Sequence, residues 1–221
     1  MNLSCHAEIL RTGISVLRHG SFDRSQGSSL LQALRRTTLL FSSIREINYD
    51  HHWDMLINQK RSGWVRKGIP DPESVAQHSL GVVELAYRMS AGRMFDLNKV
   101  MLLGLVHDLP ESIVTDILPN STVSSEDKLA REVAAMMTIT SSMPNGPMYN
   151  GLFLEYCHRL SPEADFVKQV DKLQMVEKAL LYERLYPEID YNGFWKYARA
   201  HITDNALTNH LNLLQLSRKQ A

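Results

Sequence analysis

The chain has 221 residues, 44% of them hydrophobic, enough for one well-cored domain. Lys plus Arg and Asp plus Glu both number 24, so no net field points to a nucleic acid polymer or an anionic membrane as the main partner. Two cysteines, Cys5 and Cys157, make neither a metal-ligand cluster nor a disulfide framework and fit a reducing compartment. No apolar run approaches the roughly 18 residues that a membrane span needs, and no secretory apolar region opens the chain. The expectation is a cytoplasmic protein.

Residues 1–48 differ from the rest. They hold no lysine, whereas Arg11, Arg18, Arg24, Arg35, Arg36 and Arg45 fall there among many serines and few acids. Such a start is either an organelle-import segment or an ordinary extension with a helix near 28–44; Glu8 and Asp23 weigh against import. Residues 49–221 read as one domain, and helix signals dominate it. Ser74-Val75-Ala76-Gln77 is a capping box that opens a helix carrying His78, with Val82, Val83, Leu85, Ala86 and Met89 at helical spacing. A second helix is expected from about Asn98 to Asp108, with Pro110 marking its end. A third starts at Ser124-Ser125-Glu126-Asp127 and runs through Met137. The two prolines and two glycines between Met143 and Gly151 predict a loop, and Leu152 to His158 a further helix. Ser161-Pro162-Glu163 puts proline at the first helical position of a segment running through Asp171 to about Leu185. A last pair covers roughly 192–201 and 204–218. Strand signals are scarce, so the fold class is all-α.

Four residues in these segments carry most of the chemistry: His78, the pair His107-Asp108, and Asp171. Two imidazoles and two carboxylates from three separated helices can ring one divalent metal. The donor set suits Co²⁺, Mn²⁺, Fe²⁺, Ni²⁺, Zn²⁺ or Mg²⁺. A metal held this way acidifies its water near neutral pH, so the set predicts a metal-dependent hydrolase. Each residue alone has a plainer reading: a hydrogen-bonded core histidine at His78, or an ion pair of Asp171 with Lys168 or Lys172. Their company favours the metal. Neighbours on a helix point about 100° apart, so His107 and Asp108 can share an ion only at a helix edge, which Gly104 and Pro110 make available. Glu111, three positions past Asp108, sits beside the proposed ion and is the candidate for proton transfer.

The stretches RSGWVRKGIPDPESVAQHS (61–79), LLGLVHDLPESIVTDILP (102–119), LFLEY (152–156) and FVKQVDKLQM (166–175) resemble the HD-domain superfamily of metal-dependent phosphohydrolases. Within it the likeness is to the 5′-deoxynucleotidase (YfbR-like) group of eukaryotic type. The resemblance implies an HD helical bundle, a nucleoside 5′-monophosphate substrate, a homodimer and the same proton-handling role for Glu111. It implies that Asp116 meets the sugar hydroxyl and that Glu155 lines the substrate pocket. Trp64 can stack on a base, wall off the 2′ side of the sugar or be plain core. Arg61 is the first choice for the phosphate, since eukaryotic members share the RxGW spacing, and Arg66 is the second. The bacterial members place an Arg directly before this Trp, where this chain has Gly63. Two rival readings stand: another HD-type phosphodiesterase or phosphatase acting on a nucleotide derivative, and a metal-bound interaction module without catalysis. A di-iron relative needs further His ligands before the last Asp, and only His158 lies there.

Overall fold

Ser74 begins its helix as the capping box requires. In the computed structural model, which describes residues 49–117 and 123–218, Ser74 Oγ accepts from Gln77 N at 3.2 Å and Gln77 Oε1 accepts from Ser74 N at 2.8 Å. Ten helices occur among the described residues. They are α1 (Tyr49–Asn58), α2 (Ser62–Arg66), α3 (Val75–Met89), α4 (Leu97–Val106), α5 (Glu111–Val114), α6 (Ser125–Thr140), α7 (Gly146–His158), α8 (Pro162–Leu185), α9 (Asn192–His201) and α10 (Asn205–Arg218). There is no strand among them, only an isolated antiparallel bridge between Lys60 and Ser74. The expected helix at 28–44 and the whole 1–48 extension lie outside the described residues.

Helix α8 is the spine. It packs against α3, α4, α7, α9 and α10. A helix with neighbours on several sides is apolar on several faces, and Val167, Val170, Leu173 and Val176 are all fully buried. Burying each such side chain contributes about 1.5–3 kcal/mol. Its first turn follows the sequence: Ser161 Oγ accepts from Ala164 N at 3.1 Å, and Pro162 stands where no intrahelical N–H is needed.

The predicted loop at 143–151 is a correction. Helix α7 already begins at Gly146, so only Ser141 to Asn145 link it to α6. Pro147 lies in the first turn, where proline is tolerated. Gly146 is there because a Cβ would sit 2.1 Å from Thr140 O. The two residue types that read as breakers therefore start a helix. At its far end, Lys168 Nζ donates to Tyr156 O and Cys157 O at 3.3 and 2.9 Å, satisfying carbonyls that the last turn leaves open.

Candidate metal centre

Three helices deliver the candidate ligands. His78 lies in the first turn of α3, His107 caps the C-terminus of α4, and Asp171 lies mid-way along α8. One ligand atom from each comes within 4.8 Å of the others, and all three residues are buried. His78 Nε2 is 3.2 Å from Asp171 Oδ1. Asp108, in the turn just past α4, places Oδ2 3.3 Å from His107 Nε2 and 3.7 Å from His78 Nε2. The helix edge expected at the HD pair is thus present: α4 stops at Val106, and the following turn lets adjacent side chains face one point.

Hydrogen bonds on the outer side of each ring fix which nitrogen looks inward. His107 Nδ1 lies 2.7 Å from Gly104 O, and His78 Nδ1 lies 2.6 Å from Gln174 Oε1. Both partners are acceptors, so both Nδ1 atoms carry the proton and both Nε2 atoms present a lone pair. The two Nε2 atoms are buried and have no hydrogen-bond partner. Two orphaned imidazole lone pairs beside two carboxylates are costly as they stand and are what a divalent cation satisfies. Asp171 Oδ2 accepts from Tyr156 OH at 2.9 Å and also meets Lys172 Nζ, so the ion pair with Lys172 coexists with the cluster. Burial opposes the Asp171 charge, yet the neighbouring Lys172 ammonium outweighs it and holds this carboxyl well below the usual range. Burial likewise opposes the Asp108 charge, but the Arg61 guanidinium 3.0 Å away helps to hold its carboxyl below the usual range.

Next to the cluster lies a half-buried charged group built from α2, α5 and the turns beside them. Arg61 Nη1 is 3.0 Å from Asp108 Oδ2, 3.9 Å from Glu111 Oε2 and 4.0 Å from Asp116 Oδ1. These acids more than offset the desolvation of the guanidinium. Asp116 Oδ2 accepts from Ser62 N at 2.7 Å, which ties the loop after α5 to the start of α2. Glu111 is 3% exposed and its Oε2 has no hydrogen-bond partner. Burial, then the Asp108 and Asp116 charges, push its pKa well above the ordinary carboxyl value.

The structure brings His78, His107, Asp108, Asp171, Glu111, Arg61 and Asp116 together. It does not bring Trp64, Arg66 or Glu155 to the same point. Trp64 is 2% exposed; its ring packs on Tyr182 and Phe194, at 5.2 and 4.3 Å between centroids, and Nε1 donates to Glu73 Oε1 at 3.0 Å. Arg66, in the last turn of the short α2, is exposed. Glu155 pairs with Lys99 Nζ at 2.6 Å, because α7 turns that face toward the start of α4 while its neighbour Tyr156 faces Asp171. Sequence reasoning missed Tyr156, Gln174 and Lys128. A signal existed for Gln174, which follows Asp171 by three positions on one helix face. Lys128 forms an i,i+4 pair with Glu132 at 3.3 Å, and the Glu111 and Asp108 charges also help to raise its pKa against burial.

A family model described as HD domain matches residues 53–209. The chain is 36% identical over 128 residues to the 5′-deoxynucleotidase HDDC2 of Xenopus laevis, an alignment covering 57% of this chain and 63% of that protein. It is 42% identical over 134 residues to the protein of the same name in Danio rerio, again covering 57% and 63%. The chain therefore spans under two-thirds of the length of these relatives. Among solved structures it is similar to the PH0347 protein of Pyrococcus horikoshii, with a TM-score of 0.62 and 28% identity, covering 75% of this chain and 96% of that one.

Proposed function

The chain belongs to the HD-domain family, and from that premise we propose that it is a metal-dependent 5′-deoxynucleotidase, which hydrolyses a deoxyribonucleoside 5′-monophosphate to the nucleoside and phosphate. One observation carries the reading. Two buried imidazole Nε2 atoms without partners face two carboxylates, with a buried glutamic acid and an arginine alongside, in a chain whose relatives are 5′-deoxynucleotidases.

His78, His107, Asp108 and Asp171 would hold one divalent ion, which when bound supplies Lewis acidity to a phosphate oxygen and to water. Arg61 offers the cation that meets the phosphate oxygens, and its planar fork suits them better than an ammonium. Glu111 takes the proton of the attacking water and returns it to the leaving 5′ oxygen. A bond from the water oxygen to phosphorus forms as the bond to the 5′ oxygen breaks. Its raised proton affinity is the property this task needs, because a catalytic group works best with a pKa near the working pH. Asp116 serves the sugar hydroxyl in this reading, and Trp64 acts from the core by bonding Glu73, whose carbonyl accepts from Arg61 N.

The reading takes residues 49–221 as the catalytic domain and 1–48 as an extension, supported by a family match that begins at residue 53. It includes a small nucleotide rather than a polymer as substrate and a reducing compartment, supported by the balanced charge and the few cysteines, and a homodimer, which the family resemblance suggests. Among the described residues, no helix is long and apolar enough to cross a membrane. Fusing residues 1–48 to a fluorescent protein tests the import alternative. The test of function is phosphate release from deoxyadenylate and adenylate by the purified chain supplied with Co²⁺ or Mn²⁺. Metal-dependent release that favours the deoxyribonucleotide is expected.

A further inference from the structure

The outer nitrogen of His78 leads into a chain of buried polar groups, in which Gln174 and Glu73 donate or accept no proton in the mechanism above. His78 Nδ1 donates to Gln174 Oε1 at 2.6 Å. Gln174 Nε2 donates to Glu73 Oε2 at 3.3 Å, and Glu73 Oε1 accepts from Trp64 Nε1 at 3.0 Å. His78, Gln174 and Glu73 are 0%, 6% and 5% exposed. The Glu73 backbone is held at both ends: its N–H donates to Tyr182 OH at 2.8 Å, and its carbonyl accepts from Arg61 N at 3.1 Å. Space for the Gln174 amide is set by Gly81, where a Cβ would lie 2.8 Å from Gln174 Nε2.

An amide can face a partner with either its oxygen or its nitrogen. Which end of Gln174 faces His78 decides whether His78 Nδ1 donates or accepts, and so which ring nitrogen carries the proton. Trp64 Nε1 can only donate, so the group at position 73 must show it an acceptor. A carboxylate then still has a second acceptor for Gln174 Nε2, which turns Gln174 Oε1 toward His78. We infer that Glu73 and Gln174 are positioning residues that set the His78 tautomer, holding the proton on Nδ1 and the Nε2 lone pair toward the metal. This rests on the metal centre proposed above.

The inference makes an isosteric substitution do something packing alone would not. In Glu73→Gln the new amide must still give its oxygen to Trp64. Its NH₂ then faces Gln174, which rotates, so the Gln174 NH₂ faces His78 Nδ1. The proton moves to Nε2, the nitrogen the metal needs bare. Lys178 Nζ, 3.4 Å from Glu73 Oε2 and partly exposed, can swing to water and does not block the change. Adding Gln174→Glu restores the polarity: Gln at 73 donates to Glu at 174, which accepts again from Nδ1–H.

The experiment uses the full chain stripped with a chelator. The His78 tautomer is read by long-range ¹H–¹⁵N NMR, assigned against His78→Asn, and Co²⁺ affinity is then titrated. Wild type should show the proton on Nδ1. Glu73→Gln should show it on Nε2 and bind Co²⁺ roughly 10- to 100-fold more weakly, and the double variant should recover both properties. A Glu73→Gln tautomer like the wild type, or a double variant no better than the single, overturns the inference. Should Glu73→Gln not fold, Gln174→Met breaks the link from the other end and should leave the tautomer mixed; an unchanged tautomer there overturns it equally. If wild type takes no Co²⁺, the metal centre fails, and the relay is still decided by the tautomer of the metal-free chain.

Discussion

Glu111 shows best how burial makes a chemical group. Its carboxyl is almost wholly enclosed, with two carboxylates near and one arginine at 3.9 Å. Desolvation and like charge together favour the proton-bound form. Replacing it by Gln keeps the shape and removes the proton exchange. Glu111→Gln should bind Co²⁺ as wild type does and lose roughly 10²- to 10⁴-fold in kcat; equilibrium dialysis and phosphate release measure the two. Loss of metal with loss of rate would instead make Glu111 a ligand. Trp64 makes the opposite case at the same scale. Its buried ring, its two aromatic neighbours and its bond to Glu73 fix it in the core. Trp64→Ala should lower stability by about 3–5 kcal/mol in urea denaturation. The milder Trp64→Phe should fold and keep the ratio of deoxyadenylate to adenylate turnover. A ratio that collapses in this variant would place the ring against the sugar.

Among elements, those with local chemical punctuation were legible in the sequence. The capping box at Ser74, the Ser161-Pro162 start of α8 and the end of α4 near Pro110 are all where the residues put them. Other helices were not: α2 and α5, of 5 and 4 residues, are too short for a periodic pattern. The start of α7 was misread because a close backbone approach, which no sequence rule sees, requires Gly146. The cluster of His78, His107 and Asp171 was legible because a buried charge on a helix needs a reason; the tertiary pairings of Glu155 and Trp64 carried no local signal. Junctions between elements also carry stability. Arg93, just past α3, meets Asp204, which caps α10, through two hydrogen bonds of 2.8 and 2.6 Å. Asp204 Oδ1 also accepts from Ala206 N and Leu207 N. Hydrogen bonding to Arg93 holds the Asp204 carboxyl below its ordinary value. The unfolded chain therefore binds this proton more tightly than the folded one. The stability it contributes is fully present above the unfolded pKa, about 3.9, and is lost as pH falls through the lower folded value. Asp204→Ala should cost about 1–2 kcal/mol at pH 7. The gap between variant and wild type should narrow below about pH 4; a gap independent of pH would deny the ion pair a role.

For the whole domain, the three helices that carry His78, His107 and Asp171 meet only when the core around α8 is packed, so the candidate metal site exists only in the folded chain. A divalent ion that binds the folded form alone stabilises it by about 2.7 kcal/mol at a hundred times its dissociation constant. Co²⁺ should raise Tm in wild type and not in Asp171→Asn, which alters the His78–His107–Asp171 cluster; a rise of equal size in both would place the ion elsewhere. Charge balance makes the same point about substrate. With 24 cations and 24 anions, the proposed reading requires attraction for a phosphate to arise locally, from Arg61 and the metal, and not from a field over the whole surface. The most direct measurement of this account is phosphate release from deoxyadenylate by the chelator-stripped chain, before and after Co²⁺ is added back. The account predicts no release without the ion, release with it, and neither in His107→Ala. Release that persists in the stripped protein, or no release from any nucleoside 5′-monophosphate with metal restored, would contradict it.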